Sequence, residues 1–194
     1  SCGIEYGVVP LPQRHVIAFQ VRVLAGVCSE PTDRLGLARL VEETVDKGTQ
    51  RHSGPELSDA FDAIGASRQS GTGRETTTFT CTVLPEHFER AVELHAELLR
   101  QPTFPADAVE VSVQLAKQEL TALEDDAHAL ADKLMGPQFY GLLLGRHPLG
   151  ERETLDRIQR EDLEKYWHSH FQAGRMIVTV AGPVEPGRVA ELFT

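Results

Sequence analysis

Residues 37–49 read L-A-R-L-V-E-E-T-V-D-K-G-T and set a cation and two carboxylates close together. On a helix, Arg39, Glu42 and Glu43 fall at i, i+3 and i+4 and share one face. Leu37, Leu40, Val41, Thr44 and Val45 repeat at i, i+3, i+4, i+7 and i+8, the spacing of a core-facing stripe. A cation and two carboxylates opposite that stripe have two readings. They form a solvated, salt-bridged surface, although Arg before Glu is the weaker i,i+4 orientation. Or they are what remains of a metal site whose ligands have been replaced. Spacing alone leaves both open.

Other groups carry less. His168 and His170 form an H-x-H, but on a helix that spacing splays the rings about 200° apart. His170 is expected to pack beside Leu163 and Trp167. His128 and His147 are isolated, and His147 belongs to a turn. The S-G-T-G-R-E stretch at 70–75 has the glycines of a phosphate loop but no G-K-[ST], so it reads as a hairpin turn. Ser53, Ser58 and Ser70 lack any G-x-S-x-G context, which removes support for serine hydrolase chemistry.

The chain that must position these residues has 194 amino acids, 41% hydrophobic and 25% charged, which suits one globular domain with a good-sized core. Its net charge of −10 argues against nucleic acid as a partner, since phosphate binding needs a basic patch; cationic peptides would be tolerated. No apolar run approaches the ~20 residues of a membrane helix, so no membrane association is expected. No charged segment followed by an apolar one marks a signal peptide, although a chain that starts at Ser1 could have lost one. Cys2, Cys28 and Cys81 are odd in number and form no C-x-x-C. They read as free thiols, small buried hydrophobes in a reducing, cytoplasmic setting.

Periodicity lays out the elements. GIEYGVVPLP is a short strand broken at Pro10 and Pro12, and HVIAFQVRVLAGV alternates as a half-buried strand. A helix is expected from about Asp33 to Asp46, with Gly48 able to end it. A second runs from a Ser53 cap, with Leu57, Phe61 and Ile64 at helical spacing, to Gly65. SRQSGTG and ETTTFTCTVL form a strand pair. PEHFERAVELHAELLRQ is a helix with Phe88, Val92, His95 and Leu99 as its apolar stripe. Residues 102–145 are mostly helical, with two helices meeting near Asp126. REDLEKYWHSHF is a helix, MIVTVAG a strand inside a sheet, and a last helix begins near Pro186. Strands separated by helices, with neighbouring strands mostly paired as hairpins, give an α+β fold: a largely antiparallel sheet with helices on one face. The chain reads as a single domain over 1–194. Because its last helix is cut at Thr194, it is expected to belong to a longer, two-domain chain.

The order of these pieces resembles the insulinase, pitrilysin and mitochondrial-processing-peptidase family of zinc peptidases. That family carries an inverted zinc motif, H-x-x-E-H, in the context G-L-A-H-x-x-E-H-x-x-x-K-G-T. Here residues 36–49 read G-L-A-R-L-V-E-E-T-V-D-K-G-T. The helix, Gly-Ala turn and hairpin of ELSDAFDAIGASRQSGTGRETTTFTCTVL resemble the family as well. So do LPEHFERAVELHAELLRQPTF, KQELTALEDD, the HPLG turn and MIVTVAGPVEP. In active members, two histidines and a downstream glutamate bind zinc, and the glutamate inside the motif is the general base. Position by position, the resemblance places Arg39 at the first histidine, Glu42 at the base, Glu43 at the second histidine and Glu119 at the third ligand.

Zinc serves the active relatives, but this set of residues implies no cofactor here. A guanidinium stays protonated and offers no lone pair. Arg39 is instead expected to reach Glu43, Glu119 or both. The resemblance therefore implies a catalytically inactive homologue, a non-catalytic partner or peptide-chamber domain. Its partners would be a catalytic paralogue or a second half of the same protein, together with peptides. The rival is an active metallopeptidase with an atypical metal site built on Glu42, Glu43 and Glu119.

Overall fold

The computed structural model describes residues 3–193; Cys2 lies outside them. Five strands form one sheet: β1 (Glu5–Pro10), β2 (Ile17–Val23), β3 (Ser67–Thr72), β4 (Thr77–Val83) and β5 (Met176–Gly182), in the order β1-β5-β2-β4-β3. The β2·β4, β2·β5 and β3·β4 pairings are antiparallel and β1·β5 is parallel. The sheet is thus mostly antiparallel, as expected. The hairpin expectation holds only for β3 and β4. β1 and β2 are neighbours in sequence but are separated by β5, which arrives from the far end of the chain.

The sheet buries one face. In β2, Ile17, Phe19, Val21 and Val23 are buried while Ala18 and Arg22 are exposed, the two-residue alternation of a strand covered on one side. Thr77, Phe79, Cys81 and Val83 of β4, and Met176, Val178 and Val180 of β5, continue that face. Cross-strand register sets Phe19 between Cys81 and Val180.

The described residues also form eight helices: α1 (Leu37–Thr44), α2 (Gly54–Asp62), α3 (Phe88–Arg100), α4 (Ala106–Asp125), α5 (Ala127–Leu144), α6 (Arg152–Leu155), α7 (Arg160–His170) and α8 (Pro186–Leu192). Ser53 and Glu56 form a capping box at the start of α2, and Gly65 beyond its end has φ +62°. Leu57 and Phe61 of α2 are fully buried, each worth about 1.5–3 kcal/mol of transfer free energy. The stripe of α3 is buried throughout, and His95 lies edge-on between Phe19 and Phe61 with both ring centroids at 4.9 Å. Helices α4 and α5 meet at Asp126, whose carboxylate accepts from the backbone of His128 and Ala129 at 2.9 and 3.1 Å.

Two elements differ from the sequence reading. The first helix starts at Leu37 rather than near Asp33, because Gly36 sits at φ +96° and Gly150 presses against the Leu35 carbonyl. A four-residue helix, α6, was not anticipated; it is too short to show a period. His170 stacks on Tyr166, with centroids 4.3 Å apart. Cys81 is buried as expected, whereas Cys28 is half-buried.

Candidate functional site

Helix α1 is held by contacts that have nothing to do with its polar face. Leu37, Ala38, Leu40, Val41, Thr44 and Val45 are all buried, and the helix packs on α4 and α7. Its first turn has no cap of its own. Glu30, buried in the preceding loop, accepts from Gly36 N at 3.2 Å and Ala38 N at 2.8 Å and so satisfies donors the helix leaves open. Burial drives the Glu30 carboxyl up to about 7, against the pull of those two amides. Beyond the helix, Gly48 lies so close to Thr103 and Pro105 that a Cβ would collide. The Thr49 hydroxyl donates to the buried Glu97 carboxylate, which also takes His52 Nδ1 at 2.8 Å. The Gly36, Ala38, Gly48 and Thr49 frame therefore holds α1 in place, and none of these tasks needs a metal.

The polar face separates into two parts. Arg39 Nε donates to Glu43 Oε1 at 2.7 Å, and Arg39 Nη2 lies 2.6 Å from the same oxygen and 2.9 Å from Glu119 Oε2. One guanidinium thus joins two carboxylates, one from its own helix and one from α4, 80 residues away in sequence. Burial works against the Arg39 charge, but Glu43 and Glu119 outweigh it and the guanidinium is held more firmly protonated. Burial also raises the Glu43 carboxyl, with Arg39 opposing.

Glu42 does not join this trio. It is only 9% exposed and turns toward β3, where Thr72 Oγ1 donates to Oε2 at 3.4 Å. Burial raises its pKa; hydrogen bonds from Ser70 and Thr72 oppose, and the neighbouring Glu43 charge adds to the rise. Ser70 and Thr72 were missed in the sequence, although their i, i+2 spacing on a strand was a signal that they share a face. A shallow cleft of about 280 Å³ runs between α1, β3 and α4, lined by Glu42, Glu43, Asp46, Ser70, Ser112 and Glu119 among others. His147, isolated in sequence, is folded close enough to Lys133 and Arg39 for both charges to add to burial in lowering its pKa. Among the described residues, no three His, Cys, Asp or Glu side chains stand together as a potential metal-ligand group.

Residues 9–151 match the profile of insulinase (peptidase family M16). The chain belongs to the insulinase family, M16. Among curated M16 relatives, it is 30% identical over 175 residues to the probable mitochondrial-processing peptidase subunit beta of Arabidopsis thaliana, covering 88% of this chain and 33% of that protein. It is 26% identical over 182 residues to the uncharacterized zinc protease YmxG of Bacillus subtilis, covering 93% and 44%. The M16 fold is plain in solved structures. The peptidase M16 inactive domain from Pseudomonas fluorescens superposes with a TM-score of 0.92 at 18% identity, over 98% of this chain and 47% of that one. The first half of the periplasmic protease PqqL from Escherichia coli superposes with a TM-score of 0.87 at 18% identity, over 98% and 42%. The chain spans between a third and just under half the length of these M16 relatives.

Proposed function

We propose that this M16 domain is non-catalytic and serves as the partner of a catalytic paralogue, or of a second half of its own protein, in an assembly that holds peptides. The observation that carries this reading is the position of the Arg39 guanidinium, bonded at once to Glu43 and Glu119. A catalytic zinc site takes three protein ligands with lone pairs and keeps one position open. The residues here do not fit that requirement. Arginine offers no lone pair, and its charge sits against both carboxylates that could have served. Without a Lewis acid to bring a water toward neutral pKa, Glu42 has no activated nucleophile to deprotonate. Its burial and its bonds to β3 make it a structural carboxyl.

Peptide holding draws support from two features. β3 is a terminal strand of the sheet order and borders the cleft, so an extended segment could pair along its outer edge. The cleft carries Glu42, Glu43, Asp46 and Glu119 against Lys47, which suits a peptide with basic side chains.

Metal analysis of the purified protein, followed by a peptide-cleavage assay with and without chelator, tests the reading. The expected result is no stoichiometric metal and no chelator-sensitive cleavage. Cleavage that chelator abolishes and that Glu42→Gln also abolishes would overturn it in favour of an atypical metallopeptidase using Glu42, Glu43 and Glu119.

A further inference from the structure

Helix α5 breaks the pattern of the fold. It is rich in apolar side chains, yet none of its residues is buried. An apolar helix of a globular protein is normally covered on the face that carries those side chains. The segment 134–145, L-M-G-P-Q-F-Y-G-L-L-L-G, contains no charged residue in a chain of net charge −10. Leu134, Met135, Phe139, Tyr140, Leu142 and Leu143 are all exposed, with Phe139 at 77% and Leu142 at 86%.

The segment is firmly built. At Gly141 the backbone leaves the helix with φ 77° and ψ 170°, and the chain doubles back. Gly136 and Gly145 then approach so closely that a Cβ on Gly145 would lie 2.4 Å from the Gly136 carbonyl carbon. Cys28 Sγ donates to the Leu143 carbonyl at 3.4 Å, and Arg74 stacks over the Tyr140 ring at 4.1 Å. The inner side of the segment is thus anchored while its apolar side chains remain open.

We propose that this α5 surface is the docking face for a companion domain carried on the same polypeptide. Three observations select that occupant. At roughly 200 Å² for a large side chain, the six exposed residues present about 800 Å², the share one partner gives to a stable interface and more than a typical monomer leaves open. A second copy of this chain would bring another charge of −10 into contact with the first, which self-repulsion disfavours. The relatives carry additional polypeptide of at least comparable length: this chain accounts for 44% of YmxG, 47% of the Pseudomonas fluorescens chain and 42% of the first half of PqqL.

The proposal rests on reading the chain as one part of a larger assembly, but not on the chemistry of Arg39. Finding a catalytic metal would sink the proposed function and leave the α5 result untouched. The test is hydroxyl-radical footprinting of Met135, Phe139 and Tyr140, done on the 194-residue chain and on the full-length polypeptide that contains it. Strong labelling in the short chain and its loss in the full-length protein are expected. Phe139→Glu with Leu142→Glu should lower the unfolding temperature of the full-length protein and leave that of the short chain unchanged. Equal labelling in both proteins overturns the proposal. So does a coding sequence that ends with this domain. Protection in the short chain that grows with its concentration and accompanies a dimer in sedimentation would overturn it in favour of a second copy. Protection gained only on adding phospholipid vesicles would overturn it in favour of a membrane surface.

Discussion

Arg39 Nη2 stands 2.6 Å from Glu43 Oε1 and 2.9 Å from Glu119 Oε2, so a single guanidinium links α1 to α4. Its side chain is 21% exposed and that of Glu119 is 51% exposed, which keeps the bridge within reach of solvent screening. Arg39→Met keeps most of the side-chain bulk but leaves two carboxylates facing each other. A loss of about 1 kcal/mol is expected at low ionic strength. The loss should shrink at about 1 M salt, where the Debye length falls to about 3 Å. Urea unfolding of both proteins at the two salt levels measures it. A loss that ignores salt would mean that Arg39 acts through the packing of its stem.

Replacing Arg39 and Glu43 together with histidine should create a zinc site, with Glu119 as third ligand. The two positions are one helical turn apart, and the α1 frame is held by Glu30, Gly48 and Thr49 independently of the polar face. Stoichiometric zinc after dialysis against a weak chelator is the expected outcome. An Arg39→His, Glu43→His protein that folds but retains no zinc would show that Glu119 is not placed to ligate.

Glu30 makes stability depend on pH in the unusual direction for an acid. Its folded pKa of about 7 lies above the ordinary 4.5, so the folded state holds the proton more tightly than the unfolded state. That contribution is fully present below about 4.5 and is lost as pH rises to about 7, with a slope no steeper than about 1.4 kcal/mol per unit. Glu30→Gln should remove the decline between those values, seen as a flatter profile of urea midpoint against pH. An unchanged profile would place the Glu30 pKa near its ordinary value.

His95 acts in the opposite sense. Burial between Phe19 and Phe61 lowers its pKa from 6.5 to about 4, so the unfolded state binds the proton more tightly. The stability it contributes is present above about 6.5 and lost as pH falls toward about 4. His95→Leu should therefore lose less stability than the parent over that acid range, measured by thermal unfolding at stepped pH. In Glu30→Gln, where the opposing titration is gone, the net loss of stability on acidification should be steeper than in the parent.

Much of the architecture could be read from local pattern. The alternation of Ile17, Phe19, Val21 and Val23 identified a strand covered on one side. Ser53 marked one helix start and Asp126 the meeting of two helices, and in the structure both act through side chains that bond within two or three residues. The family motif placed Arg39, Glu42, Glu43 and Glu119 as the residues to watch. Such signals are legible because the interactions that create them span a turn of helix or a pair of strand positions.

What the linear chain could not declare were relations between distant segments. Arg39 was expected to reach Glu43, Glu119 or both; that it binds both at once while Glu42 turns away to Thr72 depends on how α4 and β3 pack around α1. That β5 slips between β1 and β2 depends on pairing across most of the chain. Residues 134–145 lay within a stretch read as mostly helical, and only the packed fold shows that its apolar side chains are left facing outward. Local periodicity reports which face of an element is apolar; whether anything covers that face is decided by elements that lie far off in sequence.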